Sequence, residues 1–194
     1  EFQDQPEFLA NTLGMHYVYG QSLQVRHLRL GRGIGYYGNM ILSRYPILGS
    51  EVFPLPNPLG REPRTAIKAI IELPVAGPIA VWATHLGLSN RERRAQVDYL
   101  LEVLAKEELP AIILGDFNAM DESPEIMALT DKLQDVAKSL QLDKVGTFQG
   151  DPTRPNPRID YIWASKHLSA HTYAVIPSNA SDHMAVTASL VVSS

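Results

Sequence analysis

Two polar side chains with complementary chemistry stand at the predicted end of a buried strand. The segment GDFNA at 115–119 follows the apolar run 111–114 and places Asp116 and Asn118 two residues apart. Side chains two residues apart in an extended chain point the same way, so both would face one cleft. Asp116 would supply a charged acceptor, and Asn118 a neutral group that donates and accepts. The alternative is an Asx turn that caps the strand.

Two further segments add carboxylates and an imidazole near the C-terminus. In SDH at 181–183, Asp182 could bind a hard divalent cation such as Mg²⁺, and His183 a phosphate. The alternative is an ordinary surface loop before a strand. Asp160 lies inside the apolar segment RIDYI, and a buried carboxylate needs a partner. A nearby histidine is the natural partner, and a structural salt bridge to Arg158 is the alternative.

Four other residues are candidates for contact with an anionic substrate. His85 ends the apolar run IAVWAT, where it could bind phosphate, although a lone histidine is more often a hydrogen-bonded core or loop residue. Arg61 and Arg64 precede a predicted strand, and arginine suits bidentate phosphate contacts. Asn39 joins a turn to another strand.

Apolar periodicity predicts many short strands with helices between them. A capping box of Ser89 and Glu92 starts the best specified helix, whose apolar stripe runs to Leu104. Two more helices are predicted over 5–13 and 123–129, and an Arg- and Gly-rich loop or hairpin over 26–35. The predicted strands cover 17–19, 40–43, 47–53, 65–73, 79–84, 111–114, 158–164, 170–176 and 184–192. The pattern predicts one α/β or α+β domain whose sheets are buried on both faces.

Composition narrows the function classes. The 194 residues are 45% hydrophobic and 20% charged, as in an ordinary globular domain. The absence of cysteine excludes disulfide scaffolds, thiolate metal centres and a cysteine nucleophile. A net charge of −4 argues mildly against a tight, sequence-independent DNA binder. No apolar run approaches the roughly 18 residues of a membrane span, so we expect a soluble protein, in a compartment that the sequence leaves open.

Taken in chain order, these motifs resemble the endonuclease/exonuclease/phosphatase superfamily of metal-dependent phosphodiesterases. The matching segments are GNMILSRYPI, REPRTAI, THLG, GDFNA, RIDYI and SDHMAV. The resemblance implies a DNase-like α+β four-layer sandwich, in which two facing, mainly antiparallel sheets are flanked by helices. It also implies a single domain over residues 1–194, truncated at its N-terminus.

The resemblance further implies catalytic roles for five residues. Asp116 would orient or deprotonate the attacking water, and Asn118 would hold that water and a phosphate oxygen. His183 would contact the scissile phosphate while Asp160 hydrogen-bonds its ring, and His85 would bind phosphate as in pancreatic-type DNases.

Metal and substrate ligands follow from the same resemblance. Asp182 would bind the cation, Mg²⁺ or Mn²⁺, and Asn39, Arg61 and Arg64 would contact substrate. The implied substrate is a phosphoester of a nucleic acid, a phospholipid or a small molecule, and no obligate protein partner is evident. The alternative is a catalytically silent binding module on the same fold.

The beginning of the chain departs from the family pattern. The family opens with a strand carrying an Asn and a second strand ending in Gln-Glu, whose Glu is the principal metal ligand. Here EFQDQ leads directly to a helix. We therefore expect both strands and that ligand upstream of residue 1, with Glu1 as the alternative candidate for the ligand.

Overall fold

The computed structural model describes residues 4–26, 34–150, 153 and 155–192. Its helices are α1 (Gln5–Leu13), α2 (Asn90–Leu104), α3 (Pro124–Thr130) and α4 (Val136–Ser139). Its strands are β1 (His16–Arg26), β2 (Ile34–Ser43), β3 (Ile47–Pro54), β4 (Thr65–Leu73), β5 (Gly77–His85), β6 (Ala111–Asp116), β7 (Gln134–Asp135), β8 (Asp160–Ala164), β9 (Leu168–Ile176) and β10 (Ala185–Val192). Glu1 and most of the predicted 26–35 connection lie outside the described residues.

The helices predicted from local signals begin where their caps indicate. The Ser89 hydroxyl accepts the Glu92 N–H at 3.3 Å, which confirms Ser89 as the N-cap, and it donates to Glu92 Oε2 at 2.8 Å. At α1, Asp4 accepts the Glu7 N–H at 3.0 Å, and Gly14 ends the helix with a φ of 62°. A positive φ is inexpensive only for glycine, which fixes that boundary.

A six-stranded mixed sheet forms the centre of the molecule, in the order β3-β4-β5-β6-β8-β7. β5 and β6 run parallel and are joined by α2, whereas the other pairs are antiparallel. One face of the sheet packs against α2 and α3. There Trp82, Ile113 and Trp163 are at most 1% exposed.

Two separate two-stranded ribbons cover the other face of this sheet. The ribbon β1–β2 packs Val18 and Ile41 onto β4 and β5, and the ribbon β9–β10 packs Tyr173 onto β8. The predicted class of mixed sheets with flanking helices is confirmed. The second layer is not one continuous sheet, however, because the described strands of the two ribbons do not pair with each other.

The sheet is less well covered between the ribbons. Val81, Ile112 and Leu114 on the ribbon-facing side are only half-buried, although all three are apolar. Of the ribbon strands, β2 lies over β4 and β5, and β10 lies over β8. The inner edges of both ribbons therefore border a partly open apolar strip.

Several boundaries differ from those predicted. β1 and β2 are longer than the apolar segments 17–19 and 40–43, because hairpin pairing extends them through polar residues. The strand predicted over 158–164 begins at Asp160, and the short elements β7 and α4 carried no sequence signal. No described helix is long and apolar enough to cross a membrane. The domain extent over 1–194 stays a prediction.

Candidate active site

Three candidate residues form a row across neighbouring strands. In the parallel pair β5–β6, His85 is the register partner of Asp116, and in the antiparallel pair β6–β8, Asp116 is the partner of Asp160. The C-terminal ends of β5 and β6 thus meet the start of β8 at one end of the sheet. Strand register brings together residues that are up to 75 positions apart in the sequence (160 − 85).

His183 completes this row from the loop before β10. Its Nδ1 lies 3.0 Å and 3.1 Å from the two carboxylate oxygens of Asp160, and its Nε2 lies 3.8 Å from Asp116 Oδ2. The Phe148 ring packs 4.7 Å from the imidazole, and a β-bridge joins the two residues. Arg158 instead binds Asp121 and Asp135, so the structure places His183, not Arg158, beside Asp160.

His85 approaches the other side of Asp116. Its Nε2 lies 3.3 Å from Asp116 Oδ2, and its Nδ1 lies 3.2 Å from the Tyr37 hydroxyl. Asp116 Oδ2 is therefore within 4 Å of two imidazoles. Such a carboxylate can accept a proton from a polar group that binds at this end of the sheet, or it can hold that group by a hydrogen bond.

Asn118 combines the two interpretations that the sequence left open. Its backbone N–H donates to Asp116 Oδ1 at 2.8 Å, which is the Asx turn, and its φ is 51°. Its side-chain amide donates to the Leu86 carbonyl at 2.9 Å. Asn118 therefore fixes the Asp116 carboxylate while its own side chain is held at the same end of the sheet.

Burial and neighbouring charges separate the pKa values of the two histidines. Burial, with the positive charges of Arg64 and His183, lowers the pKa of His85 to about 4, so its ring is neutral near pH 7. Burial also disfavours charge on His183, but the hydrogen bond to Asp160 and the negative charges of Asp160, Asp116 and Asp182 together outweigh it and raise the pKa of His183. Burial raises the pKa of Asp116, and the negative charge of Asp160 adds to this shift.

The substrate-contact candidates differ in position. Arg64 is 7% exposed and contributes positive charge to His85 and Asp116. Its Nη1 lies 3.1 Å from Glu62, and its Nε has no hydrogen-bond partner among the described residues. Arg61 is exposed, 4.0 Å from Glu92.

Neither of the two remaining predicted ligands makes a hydrogen bond or ion pair with the residues of the row. Asn39 donates its amide to the Thr65 carbonyl at 3.0 Å. Asp182 is exposed, and its carboxylate lies 3.4 Å from the Ser181 hydroxyl. Within the described part of the chain, the acidic and histidine side chains that could jointly hold a metal are Asp116, Asp160 and His183, with ligand atoms within 4.8 Å of one another. Asp182 does not belong to that group.

Thr147 is a buried residue of the site that no motif indicated. It is 0% exposed, and its hydroxyl donates to Asp160 Oδ2 at 2.6 Å. The Thr147 hydroxyl oxygen in turn accepts the N–H groups of Ile159 and Asp160 at 3.1 Å and 3.0 Å. Thr147 therefore holds the carboxylate that faces His183. A threonine before an aromatic residue carries no signal of this use, because the contact depends on tertiary structure.

Comparison with known proteins gives a match to one family and a curated relative. Residues 1–183 match the model of the Endonuclease/Exonuclease/phosphatase family. The protein YbhP of Escherichia coli K12, described as uncharacterized, is 29% identical over 198 residues, covering 95% of this chain and 72% of YbhP.

Solved structures share the fold. An endonuclease/exonuclease/phosphatase from Beutenbergia cavernae superposes with a TM-score of 0.80 at 25% identity, covering 98% of this chain and 58% of that chain. The catalytic domain of human Nocturnin, with bound sulfate, gives a TM-score of 0.80 at 21% identity, covering 98% and 77%. At 21% identity the likeness to Nocturnin is evidence of fold alone.

Proposed function

The chain belongs to the endonuclease/exonuclease/phosphatase family, and from that premise we propose that it hydrolyses phosphoester bonds with the help of Mg²⁺ or Mn²⁺. The observation that carries the proposal is the convergence of Asp116, Asp160 and His183 at one end of the sheet, with ligand atoms within 4.8 Å. Two carboxylates and an imidazole whose pKa is raised, all half-buried at one end of the sheet, are suited to bind a cation and a phosphate together.

The donor atoms of this group fit a divalent cation. Asp116 and Asp160 offer carboxylate oxygens, which Mg²⁺ and Mn²⁺ prefer, whereas the raised pKa of His183 suits its imidazole to the phosphate instead. Two carboxylates this close repel each other, and that repulsion favours a cation between them. When bound, the cation would stabilise the negative charge that develops on phosphate oxygens. Asp182 stays a candidate for an additional ligand.

Asp116 is proposed to orient the attacking water and accept its proton. The raised pKa of Asp116 makes this carboxylate a stronger base than an exposed aspartate. Its Oδ1 is held by the Asn118 N–H and its Oδ2 lies beside His85, so both oxygens have defined neighbours. A carboxylate fixed in this way needs little reorganisation during the reaction.

His183 and Arg64 are proposed to bind the phosphate. The Asp160 carboxylate raises the pKa of His183, which favours its positively charged form, and it also sets the direction of the ring. Arg64 brings a second charge whose Nε is not used by any described residue. Fixed positive groups near the reacting phosphate stabilise the charge of the transition state. Asn39 and Arg61 stay predictions as outer substrate contacts.

The substrate is proposed to be a phosphoester of a nucleic acid, a phospholipid or a small molecule. The test compares the hydrolysis of bis-p-nitrophenyl phosphate and p-nitrophenyl phosphate in Mg²⁺, Mn²⁺ or EDTA, with Asp116→Asn as the matched control. Turnover of the diester that EDTA and the substitution both abolish supports a phosphodiesterase, and the same behaviour with the monoester supports a phosphatase. Absence of turnover, together with absence of Mn²⁺ binding in calorimetry, would contradict the proposal and favour a silent binding module.

A further inference from the structure

A tyrosine from the β1–β2 ribbon touches the proposed site without belonging to any of its motifs. The Tyr37 hydroxyl lies 3.2 Å from His85 Nδ1, and the two rings meet edge to face with centroids 6.5 Å apart at 63°. Tyr37 belongs to β2, whereas His85 and Asp116 belong to the six-stranded sheet. The contact therefore joins the two layers of strands at the cleft.

The two nitrogens of His85 face groups with different hydrogen-bonding capacity. Nε2 lies 3.3 Å from Asp116 Oδ2, and an ionised carboxylate can only accept. Nδ1 faces a phenolic hydroxyl, which can donate. A neutral imidazole carries one proton, so placing it on Nε2 satisfies both contacts at once. Placing it on Nδ1 would set two acceptors, Nε2 and the carboxylate, against each other.

We propose that Tyr37 is a positioning residue that, together with Asp116, holds His85 in the Nε2–H tautomer and aims that N–H at Asp116. The Tyr37 hydroxyl donates to Nδ1, which leaves Nε2 as the protonated nitrogen, because the partner of one ring nitrogen determines the state of the other. Tyr37 thereby acts through His85 on the carboxylate that orients water. The expected kinetic effect rests on the proposed function, whereas the tautomer assignment rests on the contacts alone.

The substitution Tyr37→Phe separates this role from ring packing. Phenylalanine keeps the edge-to-face contact and removes only the hydroxyl. Tyr36→Phe is the matched control, because alternation along β2 places neighbouring side chains on opposite sides, and Tyr36 is 60% exposed. His85→Gln identifies the His85 signals by their disappearance.

The decisive measurement is the ¹⁵N NMR spectrum of histidine-labelled protein, which reports the protonated ring nitrogen directly. We expect the Nε2–H pattern for His85 in the wild type and in Tyr36→Phe, and a mixture of tautomers in Tyr37→Phe. With the preferred nitrophenyl ester, kcat of Tyr37→Phe should fall about threefold to tenfold, the effect of one hydrogen bond, while KM stays unchanged.

Two results would overturn the inference. One is an unchanged His85 spectrum in Tyr37→Phe, and the other is a wild-type spectrum with the proton on Nδ1. If no variant hydrolyses either ester and none binds Mn²⁺, the proposed hydrolytic function fails, and the nitrogen spectra still support or overturn the tautomer assignment.

Discussion

Two charge clusters begin two residues apart, at Arg158 and at Asp160, and they are satisfied in opposite ways. The Arg158 guanidinium donates to Asp121 Oδ1 at 3.1 Å and 2.7 Å and to the two oxygens of Asp135 at 3.1 Å and 2.7 Å. It also lies 4.4 Å from the centroid of the Tyr161 ring. All three of its nitrogens are thus used, and Arg158 and Asp135 are buried while Asp121 is partly exposed.

The cluster around Asp160 is open by comparison. The carboxylates of Asp160 and Asp116 share one imidazole of raised pKa, His183, because burial keeps the other imidazole, His85, neutral near pH 7. All four side chains are half-buried at the end of the sheet. Each cluster pairs two carboxylates with one basic side chain, but every guanidinium nitrogen of Arg158 is used and buried, whereas the His183 ring is partly exposed. The comparison teaches that the accessibility of the basic group, more than the balance of charges, marks the candidate site.

The largest expected effect is a loss of kcat without a loss of folded structure when residues of the open cluster are replaced. Asp116→Ala and His183→Ala should each reduce kcat by roughly 10² to 10⁴-fold, the usual loss for a general acid–base group. The circular dichroism spectrum should stay unchanged, because the site carries little of the core. Turnover near the wild-type value in either variant would contradict the mechanism.

The closed cluster should respond in stability instead. Arg158→Met leaves Asp121 and Asp135 without their cation, and breaking a buried pair in this way costs about 3 to 5 kcal/mol of unfolding free energy. Urea denaturation measures the loss, and kcat per folded molecule should stay the same. A loss of kcat that exceeds the loss of folded protein would erase the distinction between the clusters.

Cation binding sharpens the same distinction. Asp160→Asn should weaken Mn²⁺ binding about 10- to 100-fold, because it removes a charged oxygen ligand and the partner of His183. The matched control is Asp121→Asn, which removes a carboxylate of the closed cluster. Titration calorimetry of the two variants measures both affinities. Equal losses would mean that the cation is not held by the open cluster.

Thr147 tests how the open cluster is supported. Thr147→Val keeps the side-chain shape but leaves Asp160 Oδ2 with His183 alone and removes the hydroxyl that accepts from two backbone N–H groups. We expect a loss of about 2 kcal/mol in unfolding free energy and a measurable fall in kcat, since the lost bond involves a charged group. Thr147→Ser retains the hydroxyl and should restore most of both, as measured by urea titration and ester hydrolysis.

The smallest expected effect is a dependence of stability on pH. His85 has a pKa of about 4 in the folded protein, below the ordinary 6.5 of an unfolded chain. The unfolded state therefore binds the proton first as pH falls below 6.5, and stability is lost on acidification. Between pH 7 and pH 5 the wild type should lose about 1 to 2 kcal/mol more than His85→Gln, measured by urea denaturation. An equal loss in both proteins would show that His85 does not titrate in this way.

The sequence supplied the chemistry of the site but not its assembly. GDFNA, RIDYI and SDH identified Asp116, Asp160 and His183 because carboxylates and imidazoles in apolar surroundings are unusual. Their closeness depends on the pairing of β6 with β8 and on the loop before β10, which local patterns do not specify. The partners of Arg158 were likewise out of reach, since Asp121 and Asp135 lie in segments without an apolar period.

The fold was predictable to a similar degree. α1 and α2 were predicted at or near their observed bounds because caps and apolar stripes act within a few residues. The division of the second layer into two ribbons could not be predicted, because the sequence of an alternating strand is the same whether its edge is paired or open. Thr147 and Tyr37 were missed for a related reason, as a hydroxyl acquires its use only from tertiary contacts.

The separate ribbons give the site parts of unequal durability. His85, Asp116 and Asp160 are anchored in the six-stranded sheet, whereas Tyr37 lies in one ribbon and His183 just before a strand of the other. A two-stranded ribbon is only marginally stable by itself, so local opening would begin there while the sheet stays intact. On warming, Asp116 and Asp160 would keep their positions in the sheet after His183 and Tyr37 had lost theirs. The chemistry would therefore fail at a lower temperature than the fold.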